Sequence, residues 1–270
     1  FQGFVLTAGA LRAFGTRDQV DEHLPHIIDG SSIWCQLFSE PESGSDLSSL
    51  RTIAEPDGDG WRITGQKIWT STAQVSQWGI LLARTDSSTG GARGISFMLI
   101  NMRQSEIDIR PIKQMTGDNE FCEVFLDGAK VHSDGLLGEL HAGWQVATSV
   151  LADERAAVGA ASIRLDRRLT RLRDGSPHEL LDRGFALRRL LDRSGTNPRL
   201  GPLSKLAMTE FETQLSRTLL SQNGAGAMVN NADTEPFLYA PGMRIAGGSS
   251  EVQRDLVGER LLGLPRAPKP

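Results

Sequence analysis

The 270-residue sequence predicts an α+β fold in which a block of strands lies between helical segments. Three features predict it. From about residue 34 to 133 apolar side chains recur at every second position, as in Ile95, Phe97 and Leu99 and in Cys122, Val124 and Leu126. Turn chemistry separates these runs at Asp57-Gly58-Asp59-Gly60 and at Gly90-Gly91, as expected between antiparallel strands. From Gly143 the apolar period becomes helical and stays so almost to the end.

Taken in order, residues 1–33 read as a short helical segment. Thr16 precedes Arg17-Asp18-Gln19-Val20 and can cap a helix with Gln19 three residues on, while Leu24, Ile27 and Ile28 continue its apolar stripe. Residues 34–138 form the strand domain, and residues 139–270 form a helical domain interrupted at Gly175-Ser176-Pro177, at Ser194–Pro198 and between Asp233 and Gly248. The tail Arg266–Pro270 reads as unstructured, and no internal repeat or low-complexity tract occurs. The chain opens on Phe1 rather than Met, and its first strong motif comes about thirty residues in, so a piece lacking its upstream part is expected.

Composition excludes several classes of function. A net charge of -4 and a pI near 5.8 lack the basic excess that nucleic acid or an anionic membrane selects. No apolar run approaches the roughly 18 residues that span a bilayer, and no signal-peptide pattern opens the chain, so a cytoplasmic protein is expected. Cys35 and Cys122 are the two cysteines, too far apart and too bare of neighbouring histidines to template a metal; each reads as a small buried hydrophobe.

In the first long helix, Trp144, Ala147, Leu151, Glu154 and Val158 recur at steps of three and four, which puts Glu154 inside an apolar stripe. Burial destabilises a carboxylate's charged form and moves its pKa toward the range of a general base at neutral pH. The same residue also reads as a glutamate at the stripe's margin, tied to an arginine.

Four ordered signatures then converge. They are SEPESGSD within 39–46, GQKIWTS at 65–71, DERAAVG at 153–159 and IAGGSSEVQRDLVGERLLGLPR at 245–266. Together they resemble the acyl-CoA dehydrogenase family over about nine-tenths of the chain. The resemblance implies an antiparallel β-barrel or sandwich as the middle domain, followed by a C-terminal helical bundle, with only the tail of an N-terminal helical domain present. It implies FAD as cofactor. Gln36, Phe38 and Ser39 line the flavin ring in that pattern, with Gly44 and Ser45 in the loop that follows. Trp69 covers the ring's face, and Ser71 donates to the reactive N5. Ser249 and Glu251, where a Gly-Gly-Ser-Ser run opens a helix with Ser250 and Gln253 at capping-box spacing, fall near the adenosine side. Ser45, Arg155 and Gly247 fall on the substrate side. Read without the family, Trp69 is a core aromatic and Gly-Gly-Ser-Ser is a good helix cap.

The sequence departs from the family in two places. Many members carry the catalytic glutamate where this chain has Gly247, so either the chain is silent or its base stands elsewhere. Glu154-Arg155 is similar to the isovaleryl and long-chain branches, which place a glutamate before an arginine on the corresponding helix. The family's Arg-Phe-Gly signature, which reaches the FAD of a neighbouring subunit, is absent between Arg164 and Ser204, which speaks against a symmetric homotetramer and adds a heteromeric or fused enzyme to the expectation of a homo- or hetero-oligomer. The expected activity is α,β-dehydrogenation of an acyl-CoA to a trans-2-enoyl-CoA. Glu154 is the base, the Gly247 N-H and a ribityl hydroxyl bind the thioester carbonyl, and an electron-transfer flavoprotein takes the electrons. A noncatalytic subunit and an acyl-CoA oxidase are the alternatives.

Overall fold

A strand buried on both faces must be apolar at every position, whereas one with a wet face alternates. The run Ile95–Asn101 is of the first kind, since each residue from Ile95 to Ile100 is buried. Its two faces feed two separate cores. The computed structural model describes residues 1–157, 161–172 and 178–266; the side chains of 155–157 and 161–164 lie outside the described residues. So do Val158, the expected break at Gly175-Ser176-Pro177 and the tail beyond Arg266.

Two units divide the chain, Phe1–Asp153 and Glu154–Pro270. The first holds a seven-stranded sheet: β1 (Trp34–Leu37), β2 (Ile53–Asp57), β3 (Gly60–Ser71), β4 (Trp78–Arg84), β5 (Ile95–Asn101), β6 (Ile107–Pro111) and β7 (Phe121–His132). The pairs β2–β3, β3–β7, β6–β7 and β4–β5 are antiparallel, as the alternation and turns predict. The sheet is nevertheless mixed. β1 runs parallel to β4 with Trp34 opposite Trp78 and Leu37 opposite Leu81, and β2 meets β4 in parallel at Ile53–Arg84. No turn joins β1 to β4, so no local residue pattern announces that pairing.

Ile95, Phe97 and Leu99 face a core shared with the helices α1 (Ala8–Phe14), α2 (Arg17–Ile28) and the first part of α3 (Gly143–Ala157). Met98 and Ile100 face a second core with Leu37, Ile63, Val124 and Leu126. Cys35 and Cys122 belong to this second core, where burial pushes the Cys35 thiol up to about 12. Helix α2 begins at the capping box expected from its sequence: Thr16 Oγ1 accepts from the Gln19 N-H at 3.2 Å, and Gln19 Oε1 accepts from the Thr16 N-H at 3.0 Å. Its His23 ring stands edge-on to Trp34 and Trp78, which stack at 5.7 Å.

The second unit contains α4 (Ala161–Leu169), α5 (His178–Ser194), α6 (Gly201–Ser221), α7 (Thr234–Ile245) and α8 (Ser250–Leu256). Leu165, Leu180, Leu187, Leu191, Phe211 and Leu215 form part of its own core. On α6 the buried face includes Lys205, Met208, Glu212, Leu215 and Leu219, so two charged residues share the apolar stripe. One carboxylate oxygen of Glu212 pairs with Arg168. Among the described residues no helix is long and apolar enough to cross a membrane.

One buried ion pair pins the loop after β1 to β3. Lys67, fully buried, donates to the Phe38 carbonyl at 3.1 Å and to Glu40 Oε1 at 2.8 Å. The Glu40 carboxylate also accepts the N-H groups of Arg51 at 2.6 Å and Thr52 at 2.9 Å, so each end of the pair is hydrogen-bonded. Burial pushes the Glu40 carboxyl up, but the Lys67 ammonium and the N-H donors outweigh it and hold it below the usual 4.5. Burial brings the Lys67 ammonium down to about 8 against the pull of Glu40. Both groups are therefore charged at neutral pH. Replacing Glu40 by alanine strands the cation, and urea unfolding is expected to show a loss of about 3–5 kcal/mol. The contribution of a carboxylate with a depressed pKa is present above its unfolded value and is lost as pH falls. The wild-type urea midpoint should accordingly drop below pH 4.5, and the Glu40→Ala variant should show a shallower acid dependence.

Candidate active site

In the first unit the expected flavin residues gather where the end of β1 meets the irregular middle of β3. Side chains alternate along β1, so Gln36 lies on the same face as Trp34 and Phe38. The Phe38 ring is turned into the core, edge-on to Phe97 at 5.7 Å, and its carbonyl rather than its ring serves the loop. Ser39 is half-buried, and its carbonyl accepts the Ile68 N-H at 2.9 Å, which brings the loop directly against the residue before Trp69.

The β3–β7 register slips between Lys67 and Thr70, and within that bulge Trp69 adopts a left-handed backbone with φ 62°. Such a conformation is costly for a bulky residue and persists only where the surroundings impose it. Here Lys67 is anchored below, and Trp69 is thrown outward to 58% exposure with its edge against Phe121. An exposed indole on a strained, anchored bulge fits the flat apolar ring of a flavin. Ser71, half-buried, closes β3 two residues later.

The loop after Glu40 is knit together by its own hydroxyls. Glu40 and Ser43 exchange two backbone hydrogen bonds of 3.0 Å, and the Ser43 hydroxyl donates to the Asp46 carbonyl at 2.7 Å. Ser43 is thus occupied in shaping the turn, whereas Gly44 and Ser45 are exposed at its tip. Arg84 fastens the far side, donating to the carbonyls of Ser48 at 3.1 Å and Leu50 at 3.3 Å.

The second unit brings Glu154 and Gly247 together. Along α3 the deepest residues are Gly143, Val146, Ala147 and Val150, with Trp144 and Leu151 beside them, and Glu154 follows Val150 by one turn and is half-buried. A Cβ placed on Gly247 would stand 3.4 Å from Glu154 Oε1 and 3.8 Å from its Cδ. Gly247 has φ 67° and Gly248 has φ 96°, conformations that side chains rarely adopt. At Gly248 a Cβ would also meet Gln253 Nε2 at 2.5 Å.

The helix after this turn is capped by Ser249, not by Ser250 as the Ser250–Gln253 spacing suggests. Ser249 Oγ accepts the Val252 N-H at 3.4 Å, while Ser250 is buried. Gln253 reaches back past the cap and donates to the carbonyls of Gly247 at 2.8 Å and Gly248 at 3.3 Å. Glu251 is exposed on the first turn, and the Arg155 side chain lies outside the described residues.

Three polar residues in these sites go beyond those expected from the sequence: Glu40, Lys67 and Lys205. Glu40 and Lys67 stand inside the SEPESGSD and GQKIWTS signatures, but the strand period does not reveal that Lys67 is buried, because the bulge resets it. Lys205 had a readable signal. It sits with Met208, Glu212, Leu215 and Leu219 at steps of three and four, the same pattern that singled out Glu154.

Comparison with known proteins bears on the family and the fold. Residues 35–129 match the family described as "Acyl-CoA dehydrogenase, middle domain". The chain is similar to acyl-CoA dehydrogenase FadE34 of Mycobacterium tuberculosis, with 37% identity over 93% of this chain but only 38% of that protein's length. It is 36% identical to acyl-CoA dehydrogenase IpdE1 of the same organism, covering 99% of this chain and 76% of that one. Among solved structures, the ChsE4-ChsE5 complex from Mycobacterium tuberculosis superposes with a TM-score of 0.84 at 27% identity, over 99% of this chain and 78% of that chain. With signatures, fold and relatives in agreement, the chain belongs to the acyl-CoA dehydrogenase family of FAD-dependent oxidoreductases.

Proposed function

We propose that the chain catalyses α,β-dehydrogenation of an acyl-CoA thioester to a trans-2-enoyl-CoA, with Glu154 as the base. The observation that carries this reading is the position of the Glu154 carboxylate beside Gly247, the residue at which many family members place their glutamate. A carboxylate arriving from α3 therefore stands where one from the 247 turn is missing. The glycine favours this arrangement, because its positive φ disfavours a side chain at 247, and a Cβ there would already stand in van der Waals contact with Glu154 Oε1 at 3.4 Å.

Bound FAD supplies the hydride acceptor. Glu154 takes the proton from the carbon next to the thioester carbonyl, while the β-carbon gives up its hydrogen with the electron pair. An α-proton is too weakly acidic for an unaided carboxylate, so the charge growing on the carbonyl oxygen needs a donor, and the Gly247 N-H is the one this chain offers. Ser45 and Arg155 hold the rest of the thioester in this reading. Trp69, Ser71, Gln36, Phe38, Ser39 and Gly44 serve the flavin ring, and Ser249 and Glu251 serve the adenosine side. The electrons pass to an electron-transfer flavoprotein, and the enzyme works in the cytoplasm.

A second reading, a noncatalytic partner within a heteromer, is favoured by one observation: the Arg-Phe-Gly signature is missing between Arg164 and Ser204. A two-component assembly also accommodates the first reading, with this chain as the catalytic half. Replacing Glu154 by glutamine separates the two. In full-length holoprotein, assayed with its partner subunit and a panel of straight-chain, branched and steroid acyl-CoAs, bleaching of the flavin should slow by about 10²–10⁴-fold. Undiminished turnover with flavin bound sinks Glu154 as the base. Rapid reoxidation of the reduced protein by oxygen would identify an oxidase instead. Gly247→Ala should keep its flavin yet lose about tenfold in the same assay, since the added methyl strains the left-handed backbone and shifts the turn whose N-H meets the carbonyl.

A further inference from the structure

The turn that carries Gly247 is held from beneath by a lysine. Lys205 on α6 is only 3% exposed, and its Nζ donates to the carbonyl of Arg244 at 3.1 Å and to that of Gly248 at 2.6 Å. The Arg244 carbonyl belongs to the last turn of α7, where the helix dipole favours a cation. The Gly248 carbonyl accepts from Gln253 as well, so two donors grip the turn from different elements. Glu154 stands against the same turn, at Gly247.

We propose that Lys205 is a positioning residue, whose ammonium fixes the Gly247–Gly248 turn and, by its charge, keeps the adjacent Glu154 carboxylate ionised and ready to accept a proton. This rests on the reading of Glu154 as the base. Among the described residues, three charged groups act on the ammonium: Glu154 on α3, Arg244 on α7 and Glu251 on α8. Burial brings Lys205 down to about 8, with Glu154 and Glu251 opposing that fall and Arg244 adding to it. The group is therefore still a cation at neutral pH. A neighbouring cation stabilises a carboxylate's charged form, so removing it moves the pH at which Glu154 becomes active upward. A lysine with a purely structural part would change stability and overall rate without moving that pH.

The experiment compares Lys205→Met and Lys205→Gln with wild type and Glu154→Gln, all as full-length holoproteins, using the acyl-CoA of the panel that bleaches the wild-type flavin. In both lysine variants the acid limb of the flavin-reduction rate should move about one pH unit higher. The glutamine keeps an N-H donor without charge, so it separates charge from hydrogen bonding and decides the matter where the methionine variant does not fold. Independently of turnover, amide hydrogen exchange across 245–250 should speed up about tenfold in Lys205→Met as the turn loosens. An acid limb that stays at its wild-type pH in a folded variant, or unchanged exchange at the turn in Lys205→Met, overturns the inference. If Glu154→Gln turns over normally, the base assignment has failed and takes this inference with it; if that variant is inactive and the limb has not moved, only the part given to Lys205 falls.

Discussion

The ion pair between Lys67 and Glu40 holds the loop after β1 against the bulge of β3. Two charges are taken out of water, and this is tolerable only because each is met by several partners: the lysine by a carbonyl and a carboxylate, the carboxylate by the ammonium and two backbone N-H groups. Those partners come from three chain segments, the end of β1, the start of β2 and the middle of β3. The pair therefore fixes the loop between β1 and β2, sets where β3 bulges and so determines where Trp69 emerges. Strain at Trp69 is sustained by the residue two places before it.

In the second unit the constraint is steric rather than electrostatic. A Cβ on Gly247 would reach van der Waals contact with Glu154, and the positive φ of Gly247 disfavours any side chain at that place. The Gly-Gly turn is correspondingly intolerant of side chains, with one glycine facing Glu154 and the next facing Gln253.

Much of the fold was legible in the sequence because its signals are local. The alternation through Ile95, Phe97 and Leu99 and the Thr16–Gln19 box depend on residues close together in the chain, and the structure has both. The parallel β1–β4 pairing was not legible, because strands 44 residues apart share no turn chemistry. Nor was the cap at Ser249: the Gln253 amide nitrogen donates back to the preceding glycine carbonyls, a tertiary use of the side chain that pattern spacing cannot register. At the site, Glu154 was visible as a charge in an apolar stripe, and Lys205 carried the same mark on α6. Without the partner segment in view, such a mark does not distinguish a chemical role from an ion pair like that of Glu212 with Arg168.

The burial of Cys35 and Cys122 within the sheet has a practical consequence. Both thiols are held above their ordinary pKa, and both lie in the second core, away from reagents in solution. These two cysteines should therefore be nearly silent toward maleimides and iodoacetamides. A single cysteine introduced on the surface, for instance at the tip of the loop carrying Gly44 and Ser45, becomes the one addressable position. A fluorophore or spin label there can follow the loop as ligand arrives, with no native residue needing to be removed first.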